Sequence, residues 1–229
     1  MHRSVKEVLK NDPGLRIIRL LLNLHYLVID RKGNAAVIEC AGGKMTYYTG
    51  DELPEPVLSN NSYEESLRTL RLHRGFGGGR VVSNGPESLE RFVRAATLLE
   101  EYRMPAQRPL PDHAFTVLKS VEQDDTQWSI VYFLPRRWIF FKTRAHRRLK
   151  VISLESLDLS CKSPALMLPV NTEEVRNLSR SFLTYDPAKN LSLLNSVFGK
   201  LKDLGELAAA TADDLARKMS AYPETCRCR

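Results

Sequence analysis

The chain has 229 residues, 43% of them hydrophobic and 27% charged, enough to bury a real core as one large or two small globular domains. No apolar run approaches the roughly 18 residues that cross a bilayer, since the longest stretch, residues 17–29, is broken by Arg19, Asn23 and His25; this excludes a membrane-spanning helix. The net charge of +7 suits anionic partners, and much of it is concentrated in Arg136, Arg137, Lys142, Arg144, Arg147, Arg148 and Lys150.

The opening MHRSVKEVLKND has no apolar segment before a small-residue cleavage site, so no signal peptide is expected there and the sequence as written predicts a cytoplasmic protein. Ser4 with Glu7 three residues on reads as a capping box for a short helix, ended by Asp12-Pro13-Gly14. Three strand-like runs follow: HYLVID at 25–30, a turn at Arg31-Lys32-Gly33-Asn34, AAVIEC at 35–40, a Gly42-Gly43 hairpin, and KMTYYT at 44–49. Pro54 and Pro56 force an extended approach to Val57-Leu58. A helix is predicted from about Ser62, carrying Tyr63, Ser66, Leu67 and Leu70.

Gly75-Phe76-Gly77-Gly78-Gly79 lacks the Lys-Ser/Thr of a phosphate-binding loop and reads as a plain loop. A stronger helix runs from Pro86, with Leu89, Phe92, Val93, Ala96 and Leu99 on one face, and is expected to stop at Pro105, Pro109 and Pro111. Then come strands at 128–133, 138–143 and 149–154, separated by basic turns, and helical segments at 172–183 and 188–219. There is no internal repeat and no compositional linker, and the order of elements suits an α+β layered domain.

Four cysteines are too few for a disulfide framework in a chain this size. Cys226-x-Cys228 has no His or Cys partners at zinc spacing, so no metal is expected there. Cys40 and Cys161 read as small buried hydrophobes, and His25, on an apolar strand, as a satisfied core histidine rather than a ligand. Asn60 and Asn61, in PVLSNNSYEESL, admit two readings from the local sequence. They cap or turn the chain into the helix, or they aim a side-chain amide at a reacting carbonyl.

Several of these pieces together resemble the choloylglycine hydrolase and penicillin V acylase family of linear-amide hydrolases. They are HYLVID, GNAAVIE, VLSNN, the ERF of GPESLERFVRAA, and TQWSIVYF with its returning strand ending in Lys142-Thr143. The resemblance covers about residues 4–168 and leaves 169–229 as a helical C-terminal part of one partial domain spanning 1–229. It implies a four-layer αββα sandwich of the N-terminal-nucleophile type, incomplete because front strands are missing, and a hydrolase of C–N bonds other than peptide bonds that uses no metal and no cofactor. Asn60 falls on the family's oxyanion asparagine and Arg91 on the arginine beside the nucleophile. Arg94, one helical turn on, is a competitor for that second role. Tyr63 either lines the substrate pocket or packs.

The resemblance also implies a nucleophile that this chain does not offer. The family attacks with an N-terminal Cys, whereas this sequence opens Met1-His2-Arg3, and Cys40, inside a strand, has no α-amino group beside it. The expected reading is therefore the C-terminal portion of a longer protein whose front half, supplied by the same gene or by a partner chain, carries the nucleophile and any export signal. The partner set is a small-molecule amide, that missing half or a homo-oligomer, and no membrane. A non-catalytic remnant or interaction module is the rival class. Nucleic-acid binding through LPRRWIFFKTRAHRRLK is disfavoured, because its cations lie in the turns and its aromatics along a strand.

Overall fold

The computed structural model describes residues 4–10, 24–41, 44–103, 110–160, 162–203 and 209–225. The chain divides into two compact units, Met1–Pro135 and Arg136–Arg229, although no change in composition marks the division.

In the first unit, helix α1 (Val5–Lys10) is capped by Ser4, whose Oγ accepts the Glu7 N–H at 3.2 Å. Strand β1 (His25–Ile29) ends at Asp30, whose carboxylate accepts from Lys32 N (2.8 Å), Asn34 N (3.1 Å), Asn34 Nδ2 (2.9 Å) and Val5 N (3.3 Å). The Asn34 side chain and these backbone donors hold that carboxyl below its ordinary range. One Asp thus closes the predicted turn and ties α1 to it. Strands β2 (Ala35–Ala41) and β3 (Lys44–Thr49) complete an antiparallel sheet of order β1-β2-β3. Val37 stands opposite Leu27 and Tyr48, and this face packs on two helices, α2 (Tyr63–Leu70) and α3 (Ser88–Arg103), through Tyr63, Leu70, Phe92, Val93 and Ala96. Ala36 and Ile38 on the opposite face are buried as well, which is why β2 reads as an apolar run rather than an alternation. The expected stop at Asp12-Pro13-Gly14 and the Gly42-Gly43 hairpin lie outside the described residues.

The loop between α2 and α3 is held by its own backbone: Gly78 N donates to His73 O (3.1 Å), Arg80 N to Leu72 O (3.0 Å) and Arg74 N to Arg80 O (2.9 Å). A Cβ at Gly78 would lie 2.1 Å from the Leu72 carbonyl oxygen, so glycine permits the close approach. The glycines serve chain packing here.

Helix α4 (Leu110–Ser120) is a departure from the sequence reading, in which Pro105, Pro109 and Pro111 ended the helix from Pro86 and no helix followed; Pro105 and Pro109 lie outside the described residues. Pro111 sits in the first turn, where a backbone N–H has no helical partner, so it starts a helix rather than breaking one. Strand β4 (Trp128–Phe133) follows.

In the second unit, β5 (Trp138–Thr143) pairs antiparallel with β6 (Lys150–Ser153), and β8 (Arg176–Asn177) runs parallel to β6. A small ladder joins β7 (Leu166–Met167) to β9 (Leu183–Thr184). The helix expected at 172–183 is not formed. Leu178, 1% exposed, donates its N–H to Val151 O at 2.7 Å, and Ser179 Oγ accepts from Ser153 N at 2.8 Å; strand pairing overrides local helical spacing. The 188–219 segment becomes two helices, α5 (Pro187–Asp203) and α6 (Ala209–Thr225), packed through Phe198, Ala212 and Ala216. No described helix is long and apolar enough to cross a membrane.

Candidate active site

Past Pro56, Val57 is buried and the chain emerges at Ser59-Asn60-Asn61 before Ser62 caps α2, its Oγ accepting from Glu65 N. Three residues of this loop converge on one hydroxyl. Ser88, the first residue of α3, accepts the Asn60 N–H (2.9 Å) and the Asn61 N–H (3.1 Å) on Oγ, and donates to Ser59 Oγ (3.1 Å). Two segments 28 residues apart in sequence are thereby clamped, and the proton of Ser88 is committed to Ser59.

The two asparagines differ in what their side chains do. Asn61 Nδ2 donates to Glu65 Oε2 at 2.9 Å, an i to i+4 bond along α2. Asn60 is exposed, and among the described residues its side-chain amide has no partner. Asn61 thus braces the helix start, while Asn60 is fixed through its backbone N–H on Ser88 Oγ.

Glu39 fixes the other side of this corner. Its Oε1 accepts the Tyr63 backbone N–H at 2.7 Å, the first N–H of α2, and lies 2.9 Å from His25 Nδ1 on the neighbouring strand. A carboxylate at a helix N-terminus meets unsatisfied N–H groups and the positive end of the dipole. His25 is accordingly a partnered histidine of the sheet.

Arg91 lies one turn after Ser88 on α3, on the same side of the helix, half-buried, with Nε donating to Pro86 O at 3.1 Å. Arg94 is buried and donates to three carbonyls, those of Ser83 (2.9 Å), Gly85 (2.7 Å) and Ser120 (2.9 Å). It staples α3 to the end of α4 and to the preceding loop. Of the two arginines considered from the sequence, Arg91 retains reach.

Tyr63 packs. It is 0% exposed, with its ring 4.9 Å from that of Tyr48 and 6.2 Å from that of Phe92. Its hydroxyl donates to Glu55 O (2.7 Å), and burial pushes the phenol up to about 12. Cys40 lies half-buried in β2, and Cys161, Cys226 and Cys228 fall outside the described residues. Among the described residues no group of three or more His, Cys, Asp or Glu side chains is placed to hold a metal.

Sequence reasoning missed Ser88 and Glu39. A lone carboxylate in the apolar AVIEC strand is a signal for a buried partner; Ser88 carries no sequence signal beyond that of a helix start. A cavity of about 900 Å3 is lined by Val5, Leu9, Gly33, Ala35, Leu53 and Pro54 among others. It contains neither Asn60 nor Arg91. The cavity and the donors of the Ser59–Asn61 loop therefore lie in different places.

No protein-family model matches the sequence, and no curated protein sequence does. Solved structures do match. A penicillin V acylase from Agrobacterium tumefaciens superposes with a TM-score of 0.65 at 22% identity, over 80% of this chain and 63% of that one. A conjugated bile acid hydrolase from Clostridium perfringens, in two variant forms, gives TM-scores of 0.55 and 0.54 at 17% and 16% identity, over 80% of this chain and 62% and 63% of those. This chain spans less than two thirds of the length of the structures it matches. Over four fifths of its residues, then, its fold is similar to that of these two amide hydrolases.

Proposed function

We propose that this chain is the C-terminal part of a hydrolase of linear C–N amide bonds, acting in the manner of choloylglycine hydrolases and penicillin V acylases on a small-molecule amide. The observation that carries the reading is the division of labour between the asparagines. Asn61 is tied to Glu65, while the Asn60 amide is uncommitted on a loop pinned by Ser88 to the helix that bears Arg91. The sheet supports it too. Among the described residues β1 and β3 pair only with β2, which leaves edges where further strands of a four-layer αββα N-terminal-nucleophile sandwich would add.

In the complete protein the nucleophile is an N-terminal Cys contributed by residues outside this chain, from the same gene product or a partner. Its α-amino group, with a pKa of roughly 7.7–8.0, accepts the thiol proton near neutral pH. The thiolate sulfur bonds to the amide carbon, and the carbonyl electrons move onto oxygen. Asn60 Nδ2 donates to that oxyanion, a contribution of about 3–4 kcal/mol to the barrier, and the Arg91 guanidinium favours the thiolate. Collapse expels the amine, which takes the proton, and water then hydrolyses the thioester to the acid.

Intact mass and N-terminal sequencing of the protein made from its native locus, read with the DNA upstream of Met1, test the proposal. The expected product is longer and begins with Cys, and in it Asn60→Ala lowers kcat by about 100- to 1000-fold with little change in KM. A product that begins at Met1 and gains no activity from a partner chain overturns the enzyme reading and leaves a non-catalytic interaction module.

A further inference from the structure

The second unit carries a charged cleft with no part in amide chemistry. It measures about 380 Å3 and lies between the turn joining β5 to β6 and the segment leading into β8, lined by Ala145, His146, Arg147, Arg148, Glu173 and Val175. We propose that this cleft binds a compact phosphate-type anion, inorganic phosphate or a small phosphomonoester.

Two features separate it from an ordinary basic loop. The turn is fixed: Thr143 N donates to His146 O and His146 N donates to Thr143 Oγ1, both at 3.1 Å, and Thr143 is buried. The guanidiniums of Arg147 and Arg148 are therefore carried on a preorganised frame, which lowers the ordering cost of binding. Behind the turn lies Lys150, 0% exposed, its Nζ 3.5 Å from His146 O and 5.7 Å from the centre of the Phe141 ring. No described carboxylate pairs with it. A buried ammonium held by one carbonyl and a ring face lacks a counter-ion, and burial pushes its amine below the ordinary lysine range. An anion seated against His146 supplies the missing charge.

The chemistry of the walls selects the ligand. Guanidinium matches phosphate oxygens in bidentate geometry. Two arginines and one carboxylate, that of Glu173, line the cleft. A volume of this size admits a phosphate with a small organic group attached. A polynucleotide fits less well. The other basic turn, at Arg136 and Arg137, lies at the far end of the six-residue β5, roughly 20 Å away at about 3.3 Å per residue. Arg136 there is placed over the Trp138 ring, 5.3 Å from its centre. The strand between is largely covered, with Lys142 its only cation, so the two turns do not form one track.

The test is calorimetric titration of the full chain with inorganic phosphate and with phenyl phosphate. NMR of the Lys150 side chain runs in parallel, and single-stranded oligonucleotide and phosphatidate vesicles serve as further ligands. The expected result is one saturable site that weakens roughly tenfold or more in Arg147→Gln/Arg148→Gln. It is unchanged in Arg136→Gln/Arg137→Gln, and its filling shifts the Lys150 signals. All four arginines are exposed, so both double variants keep the fold. Absence of saturable phosphate binding, or equal loss in both variants, overturns the proposal. So does binding of oligonucleotide or vesicles alone, the first marked by a steep salt dependence.

Discussion

Glu39 and Tyr63 lie 24 residues apart and meet through a single oxygen: Glu39 Oε1 accepts the Tyr63 backbone N–H at 2.7 Å while also facing His25 Nδ1 at 2.9 Å. The central strand of the sheet thereby holds the first N–H of α2. That ties the end of the Ser59–Asn61 loop to the sheet.

Glu39→Ala removes the acceptor of both donors. With the Tyr63 amide and ring nitrogen of His25 left without it in a largely covered corner, the first unit is expected to lose about 2–4 kcal/mol, and the Asn61 and Tyr63 amides to exchange faster. Glu39→Gln keeps an acceptor oxygen and loses only the charge, so a cost of about 1 kcal/mol is expected. Urea denaturation of the two variants measures both; equal costs would mean that the charge alone matters and the double acceptance does not.

Tyr63 gives the molecule a pH signature on the alkaline side. Burial raises its phenol from 10.0 to about 12, so the folded state keeps the proton that the unfolded chain releases earlier. Its contribution is complete below the unfolded value and is lost as pH rises from about 10 towards about 12. Stability should fall across that window in the parent chain and fall less steeply in Tyr63→Phe. The variant also loses the bond to Glu55 O, costing about 1 kcal/mol at neutral pH. Absorbance titration of the phenolate checks the order of ionisation.

The first three strands and the faces of α2 and α3 were legible because their cause is local and periodic. HYLVID, AAVIEC and KMTYYT are β-prone runs bounded by turn residues, and Leu89, Phe92, Val93 and Ala96 recur at helical spacing. Arg94 was visible as a charge next to Arg91, but only the fold shows that three carbonyls from two distant segments enclose it. The segment 172–183 misled because its apolar spacing is helical while its hydrogen bonds go to β6. Proline at 111 misled because proline breaks a helix interior yet is well suited to a helix's first turn. Ser88 was illegible: one hydroxyl that organises three residues from another segment leaves no pattern in sequence.

The contrast between the two arginines can be measured directly. In Arg94→Lys a single ammonium replaces a fork that serves three carbonyls at 2.7–2.9 Å, and the buried acceptors left behind should cost about 2–3 kcal/mol. Arg91→Lys gives up one exposed bond to Pro86 O and should stay within about 0.5 kcal/mol of the parent. Similar losses in the two variants would mean that Arg91 is a structural residue and would count against its role beside a nucleophile.

Ser88→Ala tests the clamp on Asn60 without touching Asn60. The variant removes the acceptor for two backbone N–H groups, at 2.9 and 3.1 Å, and the donor to Ser59 Oγ. Amide exchange at Asn60 and Asn61 should accelerate roughly five- to tenfold, matching about 1 kcal/mol of lost restraint, while α3 stays intact because Phe92, Val93 and Ala96 anchor it in the core. In a Cys-led complete protein the same variant should lower kcat more than it raises KM, because a loosened donor fails the oxyanion more than the bound amide. Unchanged exchange at both amides would show that Pro56 and the Ser62 cap hold the loop without Ser88, and Asn60 would then owe its position to α2 alone.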